Sequence, residues 1–395
     1  MEIRKNYSEP LLIIAIISFV FLTIVNINSD NFGDMFKIIW ADEGVYLNKA
    51  KQQALNNHPE LLQLENWHAD LVNPLNHYLV YLSFKVFDIS IISSRIISLS
   101  AYLLTSIICG AIIFNISRVK EKYYFFIGVF IFLSNHILHY YSKVGLSEII
   151  LVCISYIILY LYLNIKIPIA RYGVTGILLP ILLFSKPSCF TVVLAFYFLI
   201  LLSIIFFEDI KYTLKIKYLI YFALSSLLSL ILIYIFFLGP NINDWINIIK
   251  IMHRKSHEYS YLRKFIVHYK NLFSNNTSVI IIVLPSILIS IKYILNSKFN
   301  RDILIITTLF LLSSLFELLT HGEVRKSIYS ISIAPLIISS IFIEQKTSNI
   351  ELNKYLNKIM LYGSVGLLLL AVTLLWYNFV FYNDYLVFPL YLFII

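Results

Sequence analysis

Charge is what this sequence has least of. Asp, Glu, Lys and Arg make up 13% of its 395 residues, against about 25% in a soluble domain. Apolar residues make up 59%, and the mean hydropathy is +0.81. One globule cannot bury that much hydrocarbon, so a soluble fold is excluded and a polytopic all-α membrane protein remains. Cysteine is nearly absent. Cys109, Cys153 and Cys189 each sit in or beside an apolar run, which excludes a disulfide framework and a thiolate metal site. They read as small buried hydrophobes. An aromatic-interleaved basic face is also missing, so the formal net charge of +9 does not point to nucleic acid. No small-residue cleavage site follows the apolar run 11–25, which therefore reads as an uncleaved first span. Linkers, low-complexity runs and internal repeats are absent too, so 1–395 reads as one membrane-embedded domain without a separate soluble part.

What is present is a series of apolar runs, each near the ~20 residues a span needs. They cover 10–27, 96–116, 123–139, 147–163, 172–184, 188–207, 218–238, 277–294, 303–319, 327–343 and 359–377, eleven in all. The fifth is short and holds Pro180; its following neighbour is its expected partner in a tight helical hairpin. Stretch 76–92 holds Lys85 and Asp88 and is placed at the outer interface, while 386–395 is too short to cross. With the N-terminus inside, sixteen Lys and Arg fall in the cytoplasmic segments, and the short outer loops keep only Lys143, Lys186, Arg325 and Lys326. The positive-inside rule thus sets a cytoplasmic N-terminus. The 29 Tyr and 30 Phe suit a chain with many residues at membrane–water boundaries. Two long outer loops, 28–95 and 239–276, are where a membrane enzyme can place its chemistry.

The first of these loops opens with Trp40-Ala41-Asp42-Glu43-Gly44. Asp42 can cap a surface helix over 43–55, or its carboxylate can accept a proton from an attacking hydroxyl. Glu148 stands at the outer start of the fourth span, where an ionisable group marks a functional site or simply answers the helix dipole. Lys186, Arg325 and Lys326 defy the charge trend. Arg offers a fork for phosphate oxygens and Lys a point charge, the plainer alternative being snorkelling to the interface. The second loop carries His253 and His257 among many cations. It suits a cover over a lipid phosphate, or an amphipathic helix on anionic lipid. It lacks the His-Glu-x-x-His pattern of a zinc site.

Taken in order, these motifs resemble the polytopic GT-C glycosyltransferases, in particular the protein O-mannosyltransferase and aminoarabinose transferase group. Asp42-Glu43 is similar to that family's first-loop acidic pair. Val72-Asn73-Pro74-Leu75, with Tyr78, Phe84, Phe87 and Arg95 beyond it, resembles its Lys-Pro-Pro-Leu-Tyr-Tyr element and downstream Arg. The segment 141–148 resembles its second-loop acidic motif, Phe184-Ser185-Lys186-Pro187 its Leu-Thr-Lys-Gly turn, and 325–335 its Arg-Tyr…Pro element. Two departures stand out: Asn73 replaces the family's Lys, and Pro74 is single.

The resemblance implies transfer of a sugar from a polyprenyl-phosphate donor to an acceptor at the outer face of a bacterial inner membrane. Catalysis would fall to Asp42, Glu43 and Glu148, and donor-phosphate binding to Lys186, Arg325 and Lys326. His68, His253, His257 and Tyr329 would line the donor or acceptor. Some of the family use a divalent cation, Mg or Mn, which here would take Asp42, Glu43 and Glu148; others use none. Membrane lipid is the surrounding partner, and the acceptor is not named by these residues. Two other functions stay open: a transporter or flippase of lipid-linked saccharide, and a surface-polysaccharide polymerase or ligase. A transporter calls for ionisable groups in mid-span, whereas here Glu317, near an outer end, is the exception.

Overall fold

The computed structural model describes residues 5–25, 47–55, 73–117, 120–142, 147–186, 189–207, 211–244, 246–247, 250, 285–291, 293, 301–317 and 328–345. All regular structure among them is helical. In chain order the helices are α1 (Lys5–Val25), α2 (47–55), α3 (Pro74–Phe87), α4 (Ile91–Ile116), α5 (Lys122–Leu133), α6 (His136–Ser142), α7 (Glu148–Asn164), α8 (Pro168–Ser185) and α9 (Phe190–Leu202). Then come α10 (Tyr212–Ile233), a helical segment over 285–291 (α11), α12 (Arg301–Glu317) and α13 (Ile328–Gln345). Among the described residues three helices are long and apolar enough to cross a membrane: α4, α8 and the run Tyr212–Asp244 that α10 begins. The shorter apolar helices pack around them.

Without a hydrophobic drive between helices in lipid, close packing must come from small residues. Gly110 and Gly128 supply it between α4 and α5. A Cβ at Gly128 would stand 2.9 Å from the Gly110 Cα. Gly176 does the same between α8 and α10, where a Cβ would meet the Phe222 carbonyl at 2.7 Å. The main partner of α8 is therefore α10, not the α9 helix that follows it through a tight turn. α8 is also longer than its apolar run. Pro168 takes the first helical position, where its missing N–H costs nothing, and Arg171 joins the helix.

The expected span 123–139 is not continuous. α5 stops at Leu133, and Asn135 restarts the chain as α6 by accepting the Leu138 N–H at 3.3 Å. A break inside a bundle leaves backbone groups that no water can reach. Tyr102 donates to the Leu133 carbonyl at 2.7 Å. Asn135 Nδ2 donates to the Ile331 carbonyl at 3.3 Å, the group that Pro335 of α13 deprives of its usual donor. Tyr156 donates to Ser332 O beside it. Two defects in two helices thus answer each other across the core. At the other end of α7, Asn115 donates to Asn164 at 2.8 Å and ties α4 to α7.

Stretch 76–92 does not form a span of its own: most of it is α3, and its last two residues open α4. α3 has 14 residues, too short to cross. It buries Asn76, Val80, Ser83 and Phe84, and exposes Tyr78, Leu82 and Val86 one turn apart. That is a short helix with one packed face and an apolar exposed face, the pattern an interfacial helix has. α2 lies on it through Ala50, Val80 and Phe84. Lys85 caps α2 by donating to the Ala54 carbonyl at 3.1 Å.

Candidate functional site

α7 begins where Ser147 and Glu148 meet the end of α8. Lys186 precedes Pro187, and a residue before proline is pushed out of the helical region. The chain accordingly leaves α8 at Lys186 in an extended conformation, φ −165° and ψ 124°. Its ammonium then reaches across to α7 and donates to Glu148 Oε1 at 2.6 Å and to Ser147 Oγ at 3.0 Å. Both charged residues are buried, Glu148 at 2% and Lys186 at 4% exposure. Such a pair carries no net charge. Removing either partner would strand a buried ion, at about 3–5 kcal/mol. The N-terminus of α7 adds its positive dipole end to the same carboxylate.

Two further elements close on this pair. The turn after Lys186 is held by the Cys189 N–H donating to the Lys186 carbonyl at 3.0 Å. Cys189 Sγ lies 3.0 Å from the Tyr329 hydroxyl in the first turn of α13, and Cys189 sits within the fields of both Lys186 and Glu148. Cys189 is thus more than a small hydrophobe: it carries the contact between the lysine turn and α13. Tyr329 itself is 2% exposed. Glu317, at the end of α12, accepts the Ser330 N–H at 2.9 Å and the Ser330 hydroxyl. It caps the start of α13 from outside and so joins the two ends of the segment that carries Arg325 and Lys326.

The structure therefore brings together Glu148, Lys186 and Tyr329 of the residues expected from sequence. Asp42, Glu43, His68, His253, His257, Arg325 and Lys326 lie outside the described residues. Lys186 was expected as a phosphate ligand and is engaged by Glu148. Of the three carboxylates expected to share a divalent cation, Glu148 is the one described, and a metal there would compete with the ammonium. No group of three His, Cys, Asp or Glu able to hold a metal occurs among the described residues. Arg95 is 2% exposed in the first turns of α4.

Sequence reasoning gave no role to Ser147 or His139, and singled out Asn73 only as a departure from the family's Lys. Ser147 had a signal, since it directly precedes the acidic first residue of a span. Asn73 is 1% exposed, and neither its amide nitrogen nor its oxygen finds a partner. It stands at the start of α3 without capping it. His139 had none: its ring faces Phe19, with centroids 4.9 Å apart, and its Nδ1 is 3.4 Å from Thr23 Oγ1. Both contacts are with α1, more than a hundred residues away in the chain.

No protein-family model matches the chain, and no curated protein does. Two solved structures share its architecture, both crystal structures of ArnT from Cupriavidus metallidurans. The apo form has a TM-score of 0.53 at 10% identity, over 92% of this chain and 64% of that one. The form bound to undecaprenyl phosphate has a TM-score of 0.53 at 10% identity, over 93% of this chain and 70% of that one. The chain thus spans somewhat under two thirds of the length of the first. At that identity the likeness is one of fold: the chain shares the polytopic helical architecture of these two structures.

Proposed function

We propose, from a chain with the GT-C fold and a buried Glu148–Lys186 pair at one end of its bundle, a membrane glycosyltransferase that uses a polyprenyl-phosphate sugar. The observation that carries this reading is the convergence of Glu148, Lys186 and Tyr329 from α7, the α8–α9 turn and α13. One of the two fold neighbours is bound to undecaprenyl phosphate, which supports the donor class.

The chemistry this reading requires is simple. The acceptor hydroxyl oxygen attacks the anomeric carbon, and the bond from that carbon to the phosphate oxygen breaks. The polyprenyl phosphate leaves as an anion and needs fixed positive charge rather than a proton. Arg325, Lys326 and Lys186 are assigned to it, with Glu148 and Ser147 holding the Lys186 ammonium in place. The hydroxyl proton passes to the Asp42 carboxylate, with Glu43 beside it. His68, His253 and His257 are assigned to the outer loops that cover donor and acceptor. One displacement inverts the anomeric centre. The site faces the outside of a bacterial inner membrane, an orientation that rests on the cation asymmetry of the loops.

A transfer assay with purified chain and defined polyprenyl-phosphate sugars tests the reading. Asp42→Asn should lower turnover about 10²- to 10⁴-fold, and Arg325→Ala should weaken donor binding about tenfold or more. Full turnover in Asp42→Asn removes the base. Retention of configuration in the product removes the single displacement.

A further inference from the structure

Asn73 is a buried side chain with no hydrogen-bonding duty inside the fold. It is 1% exposed, and neither its amide nitrogen nor its amide oxygen makes a hydrogen bond. Asparagine is among the best helix caps, because its oxygen can accept an N–H of the first turn. Here it stands at the cap of α3, at φ −146° and ψ 56°, and its side chain accepts none. Pro74 follows and has no N–H to offer. The N–H groups of Leu75 and Asn76 have no acceptor within the helix itself. Asn76, three residues on and 2% exposed, puts a second amide on the same face. A buried amide with both atoms unmet is costlier than an apolar side chain of its size. Such a group calls for a partner from outside the chain.

The start of α3 belongs to the end of the bundle that holds Glu148 and Lys186. Asn115 and Asn164 join the last turns of α4 and α7 at 2.8 Å, so the first turns of both helices share the opposite end. α3 is fastened to the start of α4 through its C-terminal half. Ser83 donates to the Ser93 carbonyl at 2.5 Å, and Ser93 Oγ to the Phe87 carbonyl at 3.2 Å. α3 also packs against α8, the helix that ends at Lys186. His77 Nε2, 2.8 Å from Gln53 Oε1, pins its first turn to α2.

The chemistry of the amide says what it would take. Oδ1 accepts, Nδ2 donates, and the helix start adds donors. A phosphodiester only accepts, so it would leave Oδ1 turned toward an anion. A sugar hydroxyl both donates and accepts, and two neighbouring ring hydroxyls can meet the oxygen and nitrogen of one amide together. We infer that Asn73 hydrogen-bonds neighbouring hydroxyls of the sugar being transferred and so sets which sugar the site accepts. This rests on the transferase reading above. It gives Asn73 a task distinct from that of Lys186 and Arg325, which are assigned to the phosphate. A sugar without those hydroxyls would leave the amide buried and unmet, which is how a polar site rejects the wrong substrate.

Donor binding tests this apart from turnover. Purified full chain in detergent would be titrated with undecaprenyl phosphate, either bare or carrying glucose, mannose or galactose, and bound carrier counted by native mass spectrometry. At least one linked hexose should bind about tenfold more tightly than the bare carrier. Asn73→Leu should lose most of that difference and leave affinity for the bare carrier unchanged. Asn73→Ala should do the same without adding bulk. Neither should melt at a lower temperature, since each removes an amide that has no partner in the free chain. Variants that keep the sugar preference, or a wild type that shows none, overturn the inference and leave the transferase reading standing. Equal weakening of bare and linked carrier means that the amide meets the phosphate, and overturns the assignment to sugar. A wild type that binds neither form of carrier overturns the transferase reading and this inference together.

Discussion

The two ends of α7 are built on opposite electrostatic plans. At Glu148 one anion meets one cation at 2.6 Å, a serine hydroxyl completes the lysine, and both charges are out of water. At Tyr162 the Arg171 guanidinium lies 5.8 Å from the ring centroid and its Nε donates to the Ile165 carbonyl at 2.9 Å. A closed neutral pair fixes geometry, because moving either member exposes an uncompensated charge. A guanidinium that donates to a carbonyl and lies over an aromatic ring instead joins the start of α8 to the end of α7. The difference separates a charge pair held out of water from a cation–π contact that ties two helix ends together.

The sharpest way to break the comparison is to remove one charge at each end. Lys186→Met should cost about 3–5 kcal/mol, because it leaves Glu148 buried and uncompensated, read as a loss of stability in detergent melting. Pairing it with Glu148→Gln should return much of that loss, while donor binding stays impaired. Arg301→Gln, at a half-buried position, should cost under about 1 kcal/mol. Equal costs at the two ends would erase the distinction.

Smaller effects sharpen it. Gly128→Val would drive a side chain into the Gly110 backbone, so about 1–3 kcal/mol of overpacking is expected in the same melts. Asn135→Ala should cost about 1–3 kcal/mol, since it leaves the Ile331 carbonyl and the Leu138 N–H without their partner. Tyr329→Phe removes one hydroxyl contact to Cys189 and should cost about 0.5–1.5 kcal/mol. If Tyr329 also touches donor or acceptor, the Tyr329→Phe variant will lose more in KM than in stability.

Much of the architecture was legible because lipid imposes it. A chain with so few charges has to put its backbone into helices, and Lys85 and Asp88 mark 76–92 as a segment that stays at the surface. The break at Ser134 was not legible. Ser134-Asn135-His136 interrupts the apolar run without a Pro or Gly to mark a break, and the break is tolerable only because Tyr102 and Ile331 arrive from elsewhere to answer the exposed backbone groups. The start of α8 was misjudged for a related reason: Lys166 and Arg171 look like loop residues, whereas Pro168 opens a helix that carries Arg171 into a packed position. In the site, Glu148 and Lys186 were each visible as charges out of place. Their pairing was not, since 38 residues separate them.

The sequence by itself determined that this is an all-helical membrane protein and which ionisable residues stand at helix ends. Hydrocarbon tolerates so few alternatives that composition and spacing suffice. Only the tertiary structure decided that Lys186 is matched to Glu148, that Cys189 joins Tyr329, and that Arg171 lies over the Tyr162 ring. Those outcomes depend on distances of a few ångströms between helices remote in the chain, and burial turns such distances into large energies.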